Sequence, residues 1–182
     1  MCPKKIVLMS CCAPCSAAAI KRLKEKGADF VVIFYNPNIF PRAEHDRRLA
    51  EQIKLCEKYG VKYAFSASSH GDHARWLDAV KGFEKGPERG TRCEKCFAMR
   101  LKWGAKWAKR NGYDAITSVF GVSPHKDNFQ VLRAAKSALP PIGRRGKADF
   151  EYIDFNFAYA PEADAYRQKY CGCEFSETYH GK

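Results

Sequence analysis

Apolar residues come in short unbroken runs separated by amphipathic stretches. Ile6-Val7-Leu8-Met9 is one such run, as continuous as a buried parallel strand, and Ala17, Ile20 and Leu23 then recur at helical spacing up to Lys26, with Gly27 as a stop. A second run, Phe30 to Tyr35, ends at the turn signal Asn36-Pro37-Asn38 and precedes a charged helix from Arg42 to Tyr59, closed by Gly60. Val61 to Phe65 alternates as a third strand. Helices follow over Ala74–Val80 and Arg92–Arg110, and Ala115 to Phe120 is a fourth strand. Beyond Gln130 the helical pattern runs to Ala138 and breaks at Pro140-Pro141. The basic loop Gly143-Arg144-Arg145-Gly146-Lys147 then leads to a strand at Glu151–Phe155 and a short helix starting near Pro161 before Cys171.

This alternation predicts an α/β domain with a mostly parallel sheet and helices on both faces, because parallel strands need crossover connections. With 182 residues, one domain spanning 1–182 is expected. In such sheets ligands bind outside the carboxyl ends of the strands. Cys11 and Cys12 fall directly after the first strand.

Composition adds two excesses to an otherwise ordinary globular balance: nine cysteines and a formal net charge of +12. The amino terminus lacks a long apolar signal region, and no stretch reaches the roughly 18 apolar residues of a membrane span, so a cytoplasmic protein with no membrane partner is expected. In a reducing compartment nine cysteines point to metal binding or redox work rather than a disulfide framework.

Seven of the nine lie in three groups: Cys11, Cys12 and Cys15; Cys93 and Cys96; Cys171 and Cys173. Cys2 and Cys56 stand alone and read as bystanders, Cys56 as a buried small hydrophobe. The Cys93-x-x-Cys96 spacing puts two thiols on one side of a helix's first turn, where the dipole favours negative charge, and Arg92, Lys95 and Arg100 add positive field. By itself that spacing fits half a metal site, a redox disulfide or coincidence. Cys11 and Cys12 serve one centre only where the strand has become a loop, which Pro14 favours. At the sheet edge they can then meet Cys93 and Cys96. Four thiolates suit a [4Fe–4S] cluster or structural zinc, and spacing does not choose between them. Cys15, Cys171 and Cys173 would be idle beside a closed zinc site, which tilts the balance towards redox work. Cys171-Gly172-Cys173 suits a strained disulfide or a two-thiolate chelate, and with Cys15 it makes a three-thiolate site with an open position. Two rival functions stay open: a zinc-stapled nucleic-acid-binding module, and a thiol–disulfide oxidoreductase using Cys171 and Cys173.

Several segments taken together resemble the epoxyqueuosine reductase QueH family over essentially the whole chain: CCAPCS at Cys11–Ser16, FYNPNIFP at Phe34–Pro41 followed by EHDRR, RCEKCFAMRL at Arg92–Leu101, SPHK at Ser123–Lys126 and YRQKYCGCEFS at Tyr166–Ser176. The resemblance implies a fold related to the PP-loop, adenine nucleotide hydrolase-like (Rossmann-like) α/β proteins. Their Ser-Gly-Gly-x-Asp-Ser phosphate loop is absent here, and the cysteine loop takes its place after the first strand, which speaks against ATP use. It further implies reduction of epoxyqueuosine to queuosine at the wobble position of tRNA, with the anticodon stem-loop of a GUN anticodon as partner and a separate electron donor. The cofactors it implies are a [4Fe–4S] cluster on Cys11, Cys12, Cys93 and Cys96 and a second iron on Cys15, Cys171 and Cys173. The alternative view of the family makes Cys171 and Cys173 a redox-active disulfide. A His common two residues before the first cysteine is Met9 here.

A tRNA substrate would account for the charge. Candidate phosphate contacts are Arg42, Arg47, Arg48, Lys126, Arg144, Arg145 and Lys147, and Tyr35, Phe40 and Phe129 are candidates to stack on a base. His125, Tyr170 and Glu174 lie near the motif segments as proton-donor candidates, with His125 better read as a phosphate-contacting or surface residue.

Overall fold

The structure, a computed structural model, describes residues 4–66, 71–123, 126–139, 150–162, 164–168 and 170–176. Five strands form one sheet: β1 Lys5–Ser10, β2 Asp29–Phe34, β3 Lys62–Phe65, β4 Ala115–Ser118 and β5 Glu151–Tyr152. Their order is β3-β2-β1-β4-β5, and every pairing is parallel. This is the order of a doubly wound Rossmann-like sheet, whose direction of winding reverses between β1 and β4. The crossovers carry five helices among the described residues: α1 Ala13–Glu25, α2 Arg42–Tyr59, α3 His73–Val80, α4 Thr91–Arg110 and α5 Asn128–Ala138.

Side-chain alternation along β1 shows that the helices lie on both faces. Ser10 bonds to Ser16 of α1 and Gln52 of α2, whereas Met9, on the opposite face, lies against Gly104 of α4. A Cβ at Gly104 would sit 2.5 Å from Met9 Sδ, so the glycine is what lets α4 approach the central strand this closely. The unbroken apolar runs of β1 and β2 fit this arrangement, since residues 6–10 and 30–34 are buried whichever face they point to.

Three expectations change, the first being the fourth strand, which ends at Ser118 rather than Phe120. The strand at 151–155 is reduced to Glu151–Tyr152, which pair with Ala115 and Ile116 of β4. No helix forms among the described residues around Pro161; the segment is held by side chains instead. Arg22 donates to the carbonyls of Phe155 and Asn156, and Glu162 takes Lys21 and Lys58 at 2.9 and 2.7 Å together with the Tyr59 hydroxyl. Cys2, His125, Arg144, Arg145, Lys147 and the break at Pro140-Pro141 lie outside the described residues.

Candidate metal and redox centre

The carboxyl end of β1 is at the point where the winding reverses, and the chain leaves it as Cys11-Cys12 before α1 starts at Ala13, with Pro14 in its first turn. Cys12 is the N-cap and is extended, so the strand has become a loop here and both thiols turn to one place. Their sulfurs are 3.6 Å apart, and those of Cys11, Cys12 and Cys15 all lie within 4.8 Å of one another. Behind them a buried polar network fixes the loop. Ser16 Oγ donates to the Cys12 carbonyl at 2.9 Å, and Ser10 Oγ is 2.6 Å from both Ser16 Oγ and Gln52 Oε1. Asn36 Nδ2 donates to the Ser10 carbonyl at 3.0 Å.

Cys93 and Cys96 sit in the first turns of α4. With Cys171, Cys173, Lys126 and Gln130 they line a cavity that opens to solvent. Among the described residues, Cys11, Cys12 and Cys15 are the thiols grouped this closely, so Cys15 rather than Cys93 or Cys96 sits beside Cys11 and Cys12, while Cys93, Cys96, Cys171 and Cys173 share the cavity lining. Lys126 joins the groups: it lines the cavity, and its ammonium is 3.9 Å from Cys11 Sγ.

The thiols are unequal acids. Hydrogen bonds from Cys12 and Cys15 hold Cys11 well below the usual thiol range, helped by Lys126 and Arg100 against the opposing effect of burial. Sharing its proton with Cys11 pushes Cys12 up to about 12, and Cys15 is driven up for the same reason. Cys171 is held at about 6 by a hydrogen bond from Cys173, with Lys126 again contributing against burial, while that same bond pushes Cys173 up. Burial, together with Cys96 and Cys171, raises Cys93 to about 11. Burial works against the Lys126 ammonium, but Cys11, Cys15 and Cys171 outweigh it and raise it on balance.

Cations outnumber carboxylates around these sulfurs, with Arg89, Arg92, Arg100 and Lys126 against Glu88 and Asp127 in the cavity lining. Arg92 and Arg100 are almost fully buried along the cavity, and the N-termini of α1, α4 and α5 all end beside the thiols. Arg100 bonds to Asn36 Oδ1 and stacks its guanidinium 3.6 Å from the Phe120 ring centroid. Such a donor set, thiol-rich and compensated by cations, suits an anionic thiolate-bound metal centre.

Cys171 and Cys173 are carried by the segment clamped onto α2. Arg48, 1% exposed, donates to the Cys171 and Tyr170 carbonyls at 3.1 Å each and pairs with Glu44 at 2.6 Å. Glu44 also accepts from the Tyr166 hydroxyl at 2.9 Å. Gly172 has φ +107°, and a Cβ there would lie 2.9 Å from Ile39 Cγ1 and 3.0 Å from Arg48 Nη1.

Several sequence candidates take other roles. Arg48 is a buried clamp rather than a phosphate contact, and Lys126 faces the thiols. Tyr35 is buried, stacked on Trp103 at 4.0 Å and bonded to Asp72, so it does not meet a base. Phe40 stacks on His73; Phe129 is exposed. The Tyr170 hydroxyl donates to the Phe40 carbonyl, Glu174 pairs with His73 Nε2 at 3.0 Å, and neither lines the cavity. Arg42 and Arg47 are exposed, near Asp46 and over the Tyr166 ring respectively. Cys56 is buried beside Gln52 as expected. Sequence reasoning missed Gln168, whose Nε2 is 2.8 Å from Cys12 Sγ, along with Gln130 and the inward role of Lys126.

Fold and site together define a doubly wound α/β protein with a thiol-rich centre at the switch point of its sheet. The family model for epoxyqueuosine reductase QueH matches residues 6–179. The relative named Epoxyqueuosine reductase QueH from Histophilus somni is 36% identical over 182 residues, 94% of this chain and 72% of its own. The protein of the same name from Dehalococcoides mccartyi is 34% identical, covering 95% of this chain and 92% of its own, and that from Thermotoga maritima 28%, covering 94% and 89%. The chain belongs to the epoxyqueuosine reductase QueH family. Among solved structures, the U34-tRNA thiolase NcsA from Methanococcus maripaludis with its [4Fe-4S] cluster superposes with a TM-score of 0.48 at 15% identity, over 65% of this chain and 39% of its own. No helix among the described residues is long and apolar enough to cross a membrane.

Proposed function

We propose that this protein reduces epoxyqueuosine to queuosine at the wobble position of tRNA, in the cytoplasm, drawing on an external electron donor. The observation that carries the reading is the convergence of all three cysteine groups of this family member on one sheet edge, with Lys126 between them. Cys11, Cys12, Cys93 and Cys96 would hold a [4Fe–4S] cluster. Cys15, Cys171 and Cys173 would hold a second iron, with Cys171 and Cys173 as a redox-active disulfide in the alternative form of the site.

Removing the epoxide oxygen breaks two C–O bonds, forms one C=C bond and one water, and takes up two electrons and two protons. Ordinary side chains supply no such electrons. When bound, the iron centres deliver electrons singly and offer a Lewis-acid position for the epoxide oxygen. The chain's own residues hold and shield that chemistry. The Ser10–Ser16–Gln52 network fixes the Cys11-Cys12 loop, Arg48 fixes the Cys171 loop, and Lys126, Arg92 and Arg100 balance the negative charge of the thiolates. Arg42 and Arg47 lie exposed where they can meet phosphates of an anticodon stem-loop, and exposed Phe129 offers a stacking face.

The test is anaerobic turnover. Protein loaded with iron and sulfide, given a strong reductant and tRNA carrying epoxyqueuosine, is expected to form queuosine. Colourless protein with one zinc and no iron after anaerobic purification, or absence of queuosine from the digested tRNA, overturns the reading.

A further inference from the structure

Gln130 lies in the first turn of α5 and is 2% exposed. Its Nε2 donates to the carbonyls of Arg89 and Gly90 at 2.9 and 2.8 Å, where the chain turns into α4. These two bonds settle which way the amide faces, because a flipped amide would set its oxygen against two carbonyl oxygens. Gln130 Oε1 is left buried with no hydrogen-bond partner among the described residues, although the side chain lines the cavity beside Cys93, Cys96, Cys171 and Cys173. A buried acceptor left unmet is costly, and a group of this kind in a native cavity calls for a donor.

The metal centre cannot be that donor. Thiolate and sulfide carry no proton and are themselves acceptors. They suit two unpartnered donors of the cavity lining, Trp76 Nε1 and Arg92 Nε, and leave its two unpartnered acceptors, Gln130 Oε1 and Asn38 Oδ1, unmet. What the substrate of the preceding reading brings is a cyclopentane with two hydroxyl groups next to the epoxide. We propose that Gln130 is a specificity-determining residue that accepts a hydrogen bond from a ring hydroxyl of the substrate, setting the epoxide against the thiol-bound centre; the inference rests on the epoxyqueuosine reading above.

Gln130→Lys is the informative variant, since a lysine can still donate to the Arg89 and Gly90 carbonyls but has no acceptor. Equilibrium binding of iron-loaded wild type and variant is measured with tRNA carrying epoxyqueuosine and with the same tRNA carrying a 7-deazaguanine without the cyclopentane ring. KM and kcat are measured alongside. The expected result is a wild-type preference of about tenfold or more for the ring-bearing tRNA. In Gln130→Lys that preference falls to near one and KM rises by about tenfold, with iron content and binding of the ring-free tRNA unchanged. A variant that keeps the wild-type preference and KM while turnover proceeds overturns the role of Gln130 and leaves the reductase reading standing. A wild type that forms no queuosine overturns that reading instead. Loss of the preference in the variant would then still place a hydroxyl-bearing ring at Gln130.

Discussion

Cys93 and Cys171 are neighbours at the cavity, yet they differ in what holds them. Cys93 rides on the first turn of a 20-residue helix, and its thiol is pushed up by burial to about 11; Cys171 sits in a loop with a thiol held at about 6. In the proposed ligand set the first belongs to the cluster and the second to the adjoining site. Cys93→Ser is therefore expected to lose both cluster absorbance and turnover, whereas Cys171→Ser abolishes turnover and keeps most of the absorbance. Anaerobic visible spectra and iron counts on the two variants check this, and equal loss of absorbance in both contradicts the division. The seven thiols were legible in the sequence because the groups are compact and the residue type is chemically narrow. Lys126, Gln168 and Gln130 were not, because what they do depends on partners far along the chain: Lys126 meets Cys11 from 115 positions away and Gln168 meets Cys12 from 156. Nothing local distinguishes such a lysine or glutamine from a solvated one. The same blindness made Arg48 look like a phosphate contact, although its guanidinium is buried on the carbonyls that present Cys171.

A helix end with strong punctuation is legible in the sequence. The span expected for α2, Arg42–Tyr59, is the span observed, since Gly60 at φ +60° ends it in a left-handed turn that donates to the Cys56 and Glu57 carbonyls. The last part of the chain has no such punctuation, and its order comes from α1 and α2 through Arg22, Arg48, Glu44 and the lysines around Glu162. Gly172 is where this clamping meets the chemistry. Gly172→Ala must hold an L-residue at φ +107° and drive its Cβ against Ile39 and Arg48. The strain is about 1–3 kcal/mol, localised in a loop that makes one backbone bond to Phe40. The expected outcome is loss of the second iron, or of the Cys171–Cys173 couple, and of turnover, with far-ultraviolet circular dichroism unchanged. Iron stoichiometry falling towards that of the cluster alone is the reading to look for. An alanine variant with full activity would mean that the Cys171 loop tolerates a wide range of geometries.

At the scale of the whole molecule, the sheet and its helices make a core that needs no metal: Val7, Leu8, Met9, Ile20, Leu23, Ile33, Leu101 and Ile116 are fully buried around β1, β2, β4 and the helices on either face. The cysteines are distributed differently. They join the β1–α1 loop, the start of α4 and the segment around residues 170–173, three parts far apart in the chain, so in the proposed ligand set a second iron on Cys15, Cys171 and Cys173 would cross-link the core to its least regular segment. Beyond Tyr152 the described residues hold no helix or strand; Phe157 packs into the main core and Phe175 on Trp76, and between these anchors the segment is held by surface ion pairs, the Arg48 clamp and Gln168 on Cys12. Metal binding that favours only the joined state adds its free energy to that joining alone. Removing iron anaerobically with a chelator is thus expected to raise amide hydrogen exchange across residues 157–176 by about tenfold or more while β1, β2 and α4 keep their protection. Exchange that rises uniformly would make the metal part of the core. Exchange that does not rise anywhere would mean that Arg48 and Glu162 suffice to hold the Cys171 loop, with the metal adding chemistry but no structure. Such loosening would serve substrate entry, because the segment carries Cys171 and Cys173 into the cavity that Gln130 also lines, and a base swung out of an anticodon loop needs one wall of its cavity able to yield.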